Sequence, residues 1–160
     1  MTRKIFVGLS GGVDSAVAAR LLLDQGYDVT GVFIKIWQAE FLECTWEQDR
    51  LSAKRVAAAL GIPFLEVDLS AEYKKQVVAD MIKGYEAGST PNPDVLCNRH
   101  IKFGAFRTWA KMQGADKIAT GHYAQVVERD GVFELHRGKD PSKDQVYFLT
   151  MLTQDDLRDS

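Results

Sequence analysis

Hydrophobic positions fall along this chain in two alternating rhythms. Short apolar runs at Ile5-Phe6-Val7-Gly8-Leu9, Val29 to Ile36, Phe64 to Val67 and Asp116 to Gly121 predict strands of a mostly buried sheet. Helical spacing fills the gaps. Val13, Val17 and Leu21 recur every fourth residue, and Ala53, Val56, Ala57 and Leu60 repeat the pattern up to Gly61. Tyr73, Val77 and Met81, with Tyr85 on the same apolar face, predict a helix capped by Ser70 and running toward Gly88. Phe103, Phe106 and Ala110 predict another, with Asn98 as N-cap and its end near Gly114. Val126 to Glu128 and Val132 to Leu135, around Asp130-Gly131, predict a β-hairpin. The expected fold is therefore α/β, a mostly parallel sheet with helical crossovers and a small β-hairpin appendage.

Polar stretches between these elements carry their own information. Residues 37–49 hold Glu40, Glu43, Glu47 and Asp49 without a lysine or arginine and predict a solvated loop. Pro91 and Pro93 stiffen Ser89 to Asp94, and loops so restrained tend to position something. From Val95 to Ala115 there is no acidic residue, whereas Arg99, Lys102, Arg107 and Lys111 predict a local basic helix. Lys139 to Gln145 is a second polar loop, followed by Val146 to Leu149 and a short segment capped by Thr153.

Composition narrows the class. A chain of 160 residues, 46% hydrophobic and 26% charged, suits one globular domain, here residues 1–160. No apolar run approaches the roughly 20 residues of a membrane span, and the start carries no signal-peptide pattern, so a cytoplasmic protein without membrane contact is expected. The two cysteines, Cys44 and Cys97, form no C-x-x-C pair, which leaves a zinc site or a disulfide framework without support. A net charge of −2 argues against nucleic-acid binding by global charge and leaves local patches open.

The candidate chemistry begins at the end of the first strand. Gly8-Leu9-Ser10-Gly11-Gly12-Val13-Asp14-Ser15 is a strand, a glycine turn and a helix start, the arrangement that aims backbone N–H groups at a polyphosphate. A Walker loop would need a Gly-Lys-Ser/Thr ending, and this loop has no lysine. Ser10 and Ser15 add hydroxyl donors. Asp14 would repel bare phosphate, a conflict that a divalent cation reconciles; alternatively it only favours the helix dipole. Ligands of open α/β sheets bind beyond the carboxyl ends of the strands, so Ser10–Ser15, Ile34–Lys35 and Gly121–His122 are expected along one edge.

Cys97 is the second candidate. Directly before the expected helix, and flanked by Asn98, Arg99 and His100, it would sit in a positive field that favours thiolate and so serve as a nucleophile; the alternative is a buried structural cysteine. Asp94, three residues earlier, is either a proton-transfer partner or a turn residue. His122 is either a general base or a hydrogen-bonded strand-end histidine. Cys44 is read as a semi-buried small hydrophobe.

Ser-Gly-Gly-x-Asp-Ser resembles the signature of the PP-loop ATP pyrophosphatases. Joined to Thr90-Pro91-Asn92-Pro93-Asp94-Val95-Leu96-Cys97-Asn98-Arg99, Ile101-Lys102-Phe103, Ala119-Thr120-Gly121-His122-Tyr123-Ala124, and Lys143-Asp144-Gln145 with Tyr147-Phe148-Leu149, the set resembles, in order, the bacterial tRNA-specific 2-thiouridylases. That resemblance implies a Rossmann-like adenine-nucleotide domain that uses ATP and Mg²⁺ to adenylate O2 of the wobble uridine of tRNA, after which a persulfide sulfur attacks carbon 2 and AMP leaves. It implies that Gly8, Leu9, Ser10, Gly11, Gly12, Val13, Asp14, Ser15, Ile34 and Gly121 contact ATP, with the metal near Asp14. Asn92, Pro93 and Asp94 would meet the target base, Lys143, Asp144 and Gln145 the tRNA, and Cys97, with Asp94 beside it, would be catalytic. A sulfur-donor protein, a cysteine desulfurase or a sulfur-relay protein, is the implied partner. The second catalytic cysteine and later tRNA-binding domains of the family are expected beyond Ser160. Two other readings of the residues stand beside this one. A PP-loop amide or C–N ligase acting on a small molecule would have no need of Cys97, and a non-catalytic nucleotide-binding module would have no use for the basic helix.

Overall fold

The computed structural model describes residues 2–39 and 46–160. Strand β1 (Lys4–Gly8) leads through the glycine turn into α1 (Val13–Asp24), and β2 (Asp28–Lys35), α2 (Trp46–Leu60) and β3 (Phe64–Asp68) follow. Helix α3 (70–86) comprises α-helical Ser70–Tyr73, a wider π-helical stretch Lys74–Val78 and α-helical Ala79–Glu86. Helix α4 (93–112) has the same build, with Pro93–Leu96, a π-helical Cys97–Phe106 and Arg107–Met112. Then come β4 (Lys117–Ala119), the hairpin strands β5 (Ala124–Arg129) and β6 (Val132–Arg137), a 3₁₀ turn at Val146–Leu149, and α5 (Gln154–Arg158). Among the described residues no helix is long and apolar enough to cross a membrane.

The four-stranded sheet is parallel throughout, in the order β3-β2-β1-β4, with Val7 opposite both Gly31 and Ala119. Parallel strands must be covered on both faces, and β1 shows how one strand serves two cores. Ile5 and Val7 point into a cluster with Ala19, Val29, Ala53 and Ala57, under α1 and α2. Phe6 points the other way, into Val77, Ile101, Phe106 and Ile118, under α3 and α4. The hairpin is a separate antiparallel pair, closed by Asp130 and Gly131 at φ 52° and 78°, the left-handed pair that a two-residue turn needs. Gln154 fastens it to α5, accepting from Phe133 N and donating to Phe133 O, both at 2.8 Å.

Several sequence expectations are corrected by packing. The Val13, Val17, Leu21 stripe of α1 faces solvent, and the helix buries Ser15 and Ala19 instead, because small side chains allow it closer to the sheet. Tyr85 is exposed and takes no part in the core of α3. Ser70 does not cap that helix with its side chain; Leu69 is its N-cap, and Asp68 just before it accepts from Ser70 N at 3.0 Å. Residues 46–49 are the first turn of α2 rather than loop, with Glu47 and Asp49 at the helix end that favours acidic residues. Cys44, Glu40 and Glu43 lie outside the described residues. The largest shift concerns α4. Asn92, not Asn98, is its N-cap, its side chain accepting from Asp94 N at 3.0 Å and Val95 N at 3.3 Å, with Pro93 in the first helical position. Asn98 is buried inside the helix and donates to Phe148 O at 3.2 Å.

Candidate active site

The sheet order reverses at β1, whose neighbours β2 and β4 leave on opposite sides, and a crevice opens beyond the carboxyl ends of β1 and β4. A cavity of about 380 Å³ occupies it. The glycine loop supplies one wall through Gly8, Leu9, Ser10, Asp14 and Ser15, and the β4 end another through Thr120, Gly121 and His122. Ile34, Lys35 and Ile36 close the β2 side. The three expected loops thus converge. Cys97, Ile101 and Lys102 complete the lining from α4; i→i+5 bonding through the π-helical stretch sets these positions on one face.

The loop leaves its donors in reach of an anion. Helix α1 has Gly12 at its N-cap and no side-chain cap, so its first N–H groups lack an intrahelical partner. Ser15 Oγ accepts from Ser10 N and donates to Gly12 O, each at 3.2 Å, and lies 3.3 Å from Ser10 Oγ. Gly12 N donates to Ser10 Oγ at 3.3 Å. These bonds lie at the long end of the range, donors readily yielded to a stronger acceptor. A Cβ on Gly12 would meet only Ser10 Oγ at 3.4 Å, so the cradle is open on that side. Gly11 and Gly121 are glycine for another reason. At Gly11, with φ +82°, a Cβ would fall 2.7 Å from Ser52 Cβ, and at Gly121 it would fall 2.5 Å from Ser15 N. They let loop, helix and β4 close on one another.

Asp14 and Asp49 both line the cavity, but among the described residues no three His, Cys, Asp or Glu side chains are gathered as a metal cage. That donor set suits Mg²⁺, which is usually held by one or two carboxylates together with substrate phosphates. Asp14 is also paired with Lys143, whose Nζ lies 3.1 Å from its Oδ2. Gln145 lines the cavity and accepts from Tyr123 N at 3.0 Å, while Asp144 pairs with Arg137 at 3.0 Å.

The electrostatics of Cys97 overturn the expectation of a thiolate. Since α4 begins at Pro93, the cysteine lies past the first turn, away from the unpaired N–H groups. Burial pushes its thiol up, Lys102 pulls it down and Asp94 adds to the rise. Asp94 is exposed one turn earlier, and Asn92, Pro93 and Asp94 stand outside the cavity lining. His122 does line the cavity, but burial first, then Lys102, lowers its pKa to about 4, and its Nδ1 is 2.7 Å from Thr120 Oγ1. A ring so weakly basic is poorly suited to take a proton from a thiol. Sequence reasoning missed Lys102 as a site residue; its place five residues after Cys97 on a helix was the available signal.

A protein-family model described as the tRNA methyl transferase HUP domain matches residues 3–160. The chain belongs to that family. Among curated relatives, the tRNA-specific 2-thiouridylase MnmA of Nitrosomonas europaea is 54% identical over 156 residues, covering 96% of this chain and 43% of that protein. The protein of the same description from Akkermansia muciniphila is 52% identical over 158 residues, covering 96% and 44%. The chain therefore spans less than half the length of these relatives. The family resemblance read from the motifs agrees with them. Among solved structures, a U34-tRNA thiolase from Methanococcus maripaludis shares the fold with a TM-score of 0.51 at 22% identity, over 75% of this chain and 38% of that one. So does a predicted subunit of tRNA methyltransferase from Methanocaldococcus jannaschii, with a TM-score of 0.51 at 17% identity, over 74% and 53%.

Proposed function

We propose that this chain is the ATP-binding catalytic portion of an enzyme that thiolates carbon 2 of the wobble uridine of tRNA. The observation that carries the reading is the meeting, in one crevice, of the uncapped α1 N-terminus and the Cys97 thiol. Relatives about half identical over nearly the whole chain, and named for that reaction, support it.

In this reading the loop from Gly8 to Ser15, with Ile34 and Gly121, holds ATP, and Asp14 would help to hold a Mg²⁺ that offsets phosphate charge. ATP supplies an adenylate at uridine O2, with pyrophosphate as the leaving group. A persulfide, delivered by a sulfur-donor protein to a second cysteine, adds its terminal sulfur to carbon 2, and AMP departs with O2. Cys97 then attacks the bridging sulfur. A disulfide forms, the bond to the terminal sulfur breaks, and its electron pair stays on the sulfur bound to carbon 2. Lys102 stabilises the Cys97 anion during that attack. Asn92 to Asp94 flank the target base, and the polar loop at Asp144 and Gln145 meets the tRNA.

ATP–pyrophosphate exchange separates this from the other enzyme classes. Exchange that depends on added tRNA carrying an unmodified wobble uridine is expected. Exchange of equal rate without tRNA, driven by a small carboxylate or amide substrate, would overturn the reading in favour of a ligase.

A further inference from the structure

The glycine loop read as a phosphate cradle lacks the lysine that a Walker loop carries, and the structure brings one in from elsewhere. Lys143 lies 129 positions from Asp14 in sequence, yet its Nζ sits 3.1 Å from Asp14 Oδ2, beside the uncapped first turn of α1. Its position is built. Asp140 Oδ1 accepts from both Ser142 N at 2.9 Å and Ser142 Oγ at 2.6 Å, shaping the turn that delivers it. Its ammonium lies 3.8 Å from the centre of the Tyr123 ring, and two residues later Gln145 is fastened to Tyr123 N. Without Lys143, the loop would present Asp14 as the one formal charge between Gly8 and Ser15, a negative one.

Lys35 and Lys102 line the cavity itself and are placed for other work, whereas Lys143 stands outside the lining, against Asp14. Lys35 is held by Asp68 at 3.0 Å and lies over the Trp46 ring, on the β2 side. Lys102 is on α4 with Cys97, on the side of the cavity that His122 also lines. Lys143 alone among the three touches the first turn of α1. An ammonium has three donors, and Asp14 occupies one.

We propose that Lys143 is a polyphosphate-binding residue of the nucleotide site, the cation its glycine loop does not itself supply, and that Asp14 holds it in place until ATP arrives. This rests on the reading of Ser10–Ser15 as the ATP cradle. It gives Lys143 a partner different from the tRNA that the family resemblance implies for it.

The test is isothermal titration of the unsubstituted chain, Lys143→Gln and Lys143→Arg with ATP and Mg²⁺, with AMP, and with tRNA. Lys143→Gln should weaken ATP binding about tenfold, the loss of one charge-assisted phosphate contact. AMP, which lacks the outer phosphates, should change less than about twofold, and Lys143→Arg should recover most of the ATP affinity. Unchanged ATP affinity in Lys143→Gln, with tRNA binding reduced, would assign the lysine to the RNA and overturn the inference alone. Equal losses for ATP and AMP would overturn it too, since a phosphate contact is selective for the triphosphate. Failure of the unsubstituted chain to bind ATP would overturn the cradle itself, and this inference with it.

Discussion

At the scale of single residues, the site works against its own ionisable groups. Burial makes the Cys97 thiol a weaker acid and the His122 ring a weaker base, so both are neutral at pH 7. Alkylation of Cys97 by iodoacetamide should therefore be slow at pH 7 and reach half its limiting rate above the free-thiol value of about 8.5. Lys102→Ala should move that midpoint higher and Asp94→Asn lower, as the signs of their charges require; the opposite order would remove Lys102 from the site. His122 also links stability to pH. Its folded pKa of about 4 lies below the unfolded value of 6.5, so the unfolded chain binds the proton first. Its stability contribution is complete above pH 6.5 and is lost as the pH falls toward 4, about 2 kcal/mol of it by pH 5. Urea titrations at pH 7 and pH 5 should show that loss in the unsubstituted chain and not in His122→Asn.

At the scale of elements, the strands were legible in the sequence and the faces of the helices were not. A strand buried on both sides shows itself as an apolar run whatever covers it, which is why β1 and β2 lie where the pattern puts them; the edge strand β3 buries Val67 alone and was marked by Phe64, Leu65 and Val67 after Pro63. Helix α1 misleads because its contact face sets the small Ser15 and Ala19 beside half-buried Leu22 and Leu23, so that the larger Val13, Val17 and Leu21 of the solvent face outweigh it in the pattern. The start of α4 was obscured by two asparagines that both fit a cap; Asn92 wins because Pro93 follows it, with φ preset for the first helical position. The close packing of α1 yields a contrast between two glycines. Gly121→Ala forces a Cβ within 2.5 Å of Ser15 N and 2.6 Å of the Asp14 carbonyl carbon, backbone atoms that cannot step aside, so α1 must shift. Gly12→Val adds bulk to an open position at φ −84°, which any residue tolerates. Thermal melting should thus fall by several degrees for Gly121→Ala, for a loss of about 1–3 kcal/mol, and hardly change for Gly12→Val. ATP titration should nonetheless show binding lost in Gly12→Val; retained affinity would place the phosphates elsewhere.

At the scale of the molecule, charge that looks free along the sequence is spoken for in space. The run from Val95 to Ala115 reads as a basic surface because its partners lie about 50 residues further on, in α5 and the residue after it. Arg99 and Arg107 close on the buried Asp156 at 2.7 and 3.2 Å, and Arg107 and Lys111 close on Asp159 at 3.3 and 3.0 Å. Asp156 also completes a capping box with Thr153, so it locks α5 to α4 and, through Gln154, to the hairpin. Removing it leaves two guanidinium groups without their buried partner, and Asp156→Ala should cost roughly 3–5 kcal/mol in denaturant unfolding. The same pairing limits what this chain can do with RNA. With three of the four cations of α4 held in ion pairs by two carboxylates and a net charge of −2, few remain for phosphates. Each phosphate neutralised contributes about −0.7 to −0.9 to the slope of log affinity against log salt. Fluorescence anisotropy with tRNA should then give weak association and a slope no steeper than about −3. Asp159→Asn, which releases Lys111 and half of the hold on Arg107 while its backbone carbonyl still accepts from Ile118 N, should steepen the slope by about 1. A steep slope in the unsubstituted chain, unmoved by Asp159→Asn, would mean that the RNA reads a surface other than α4.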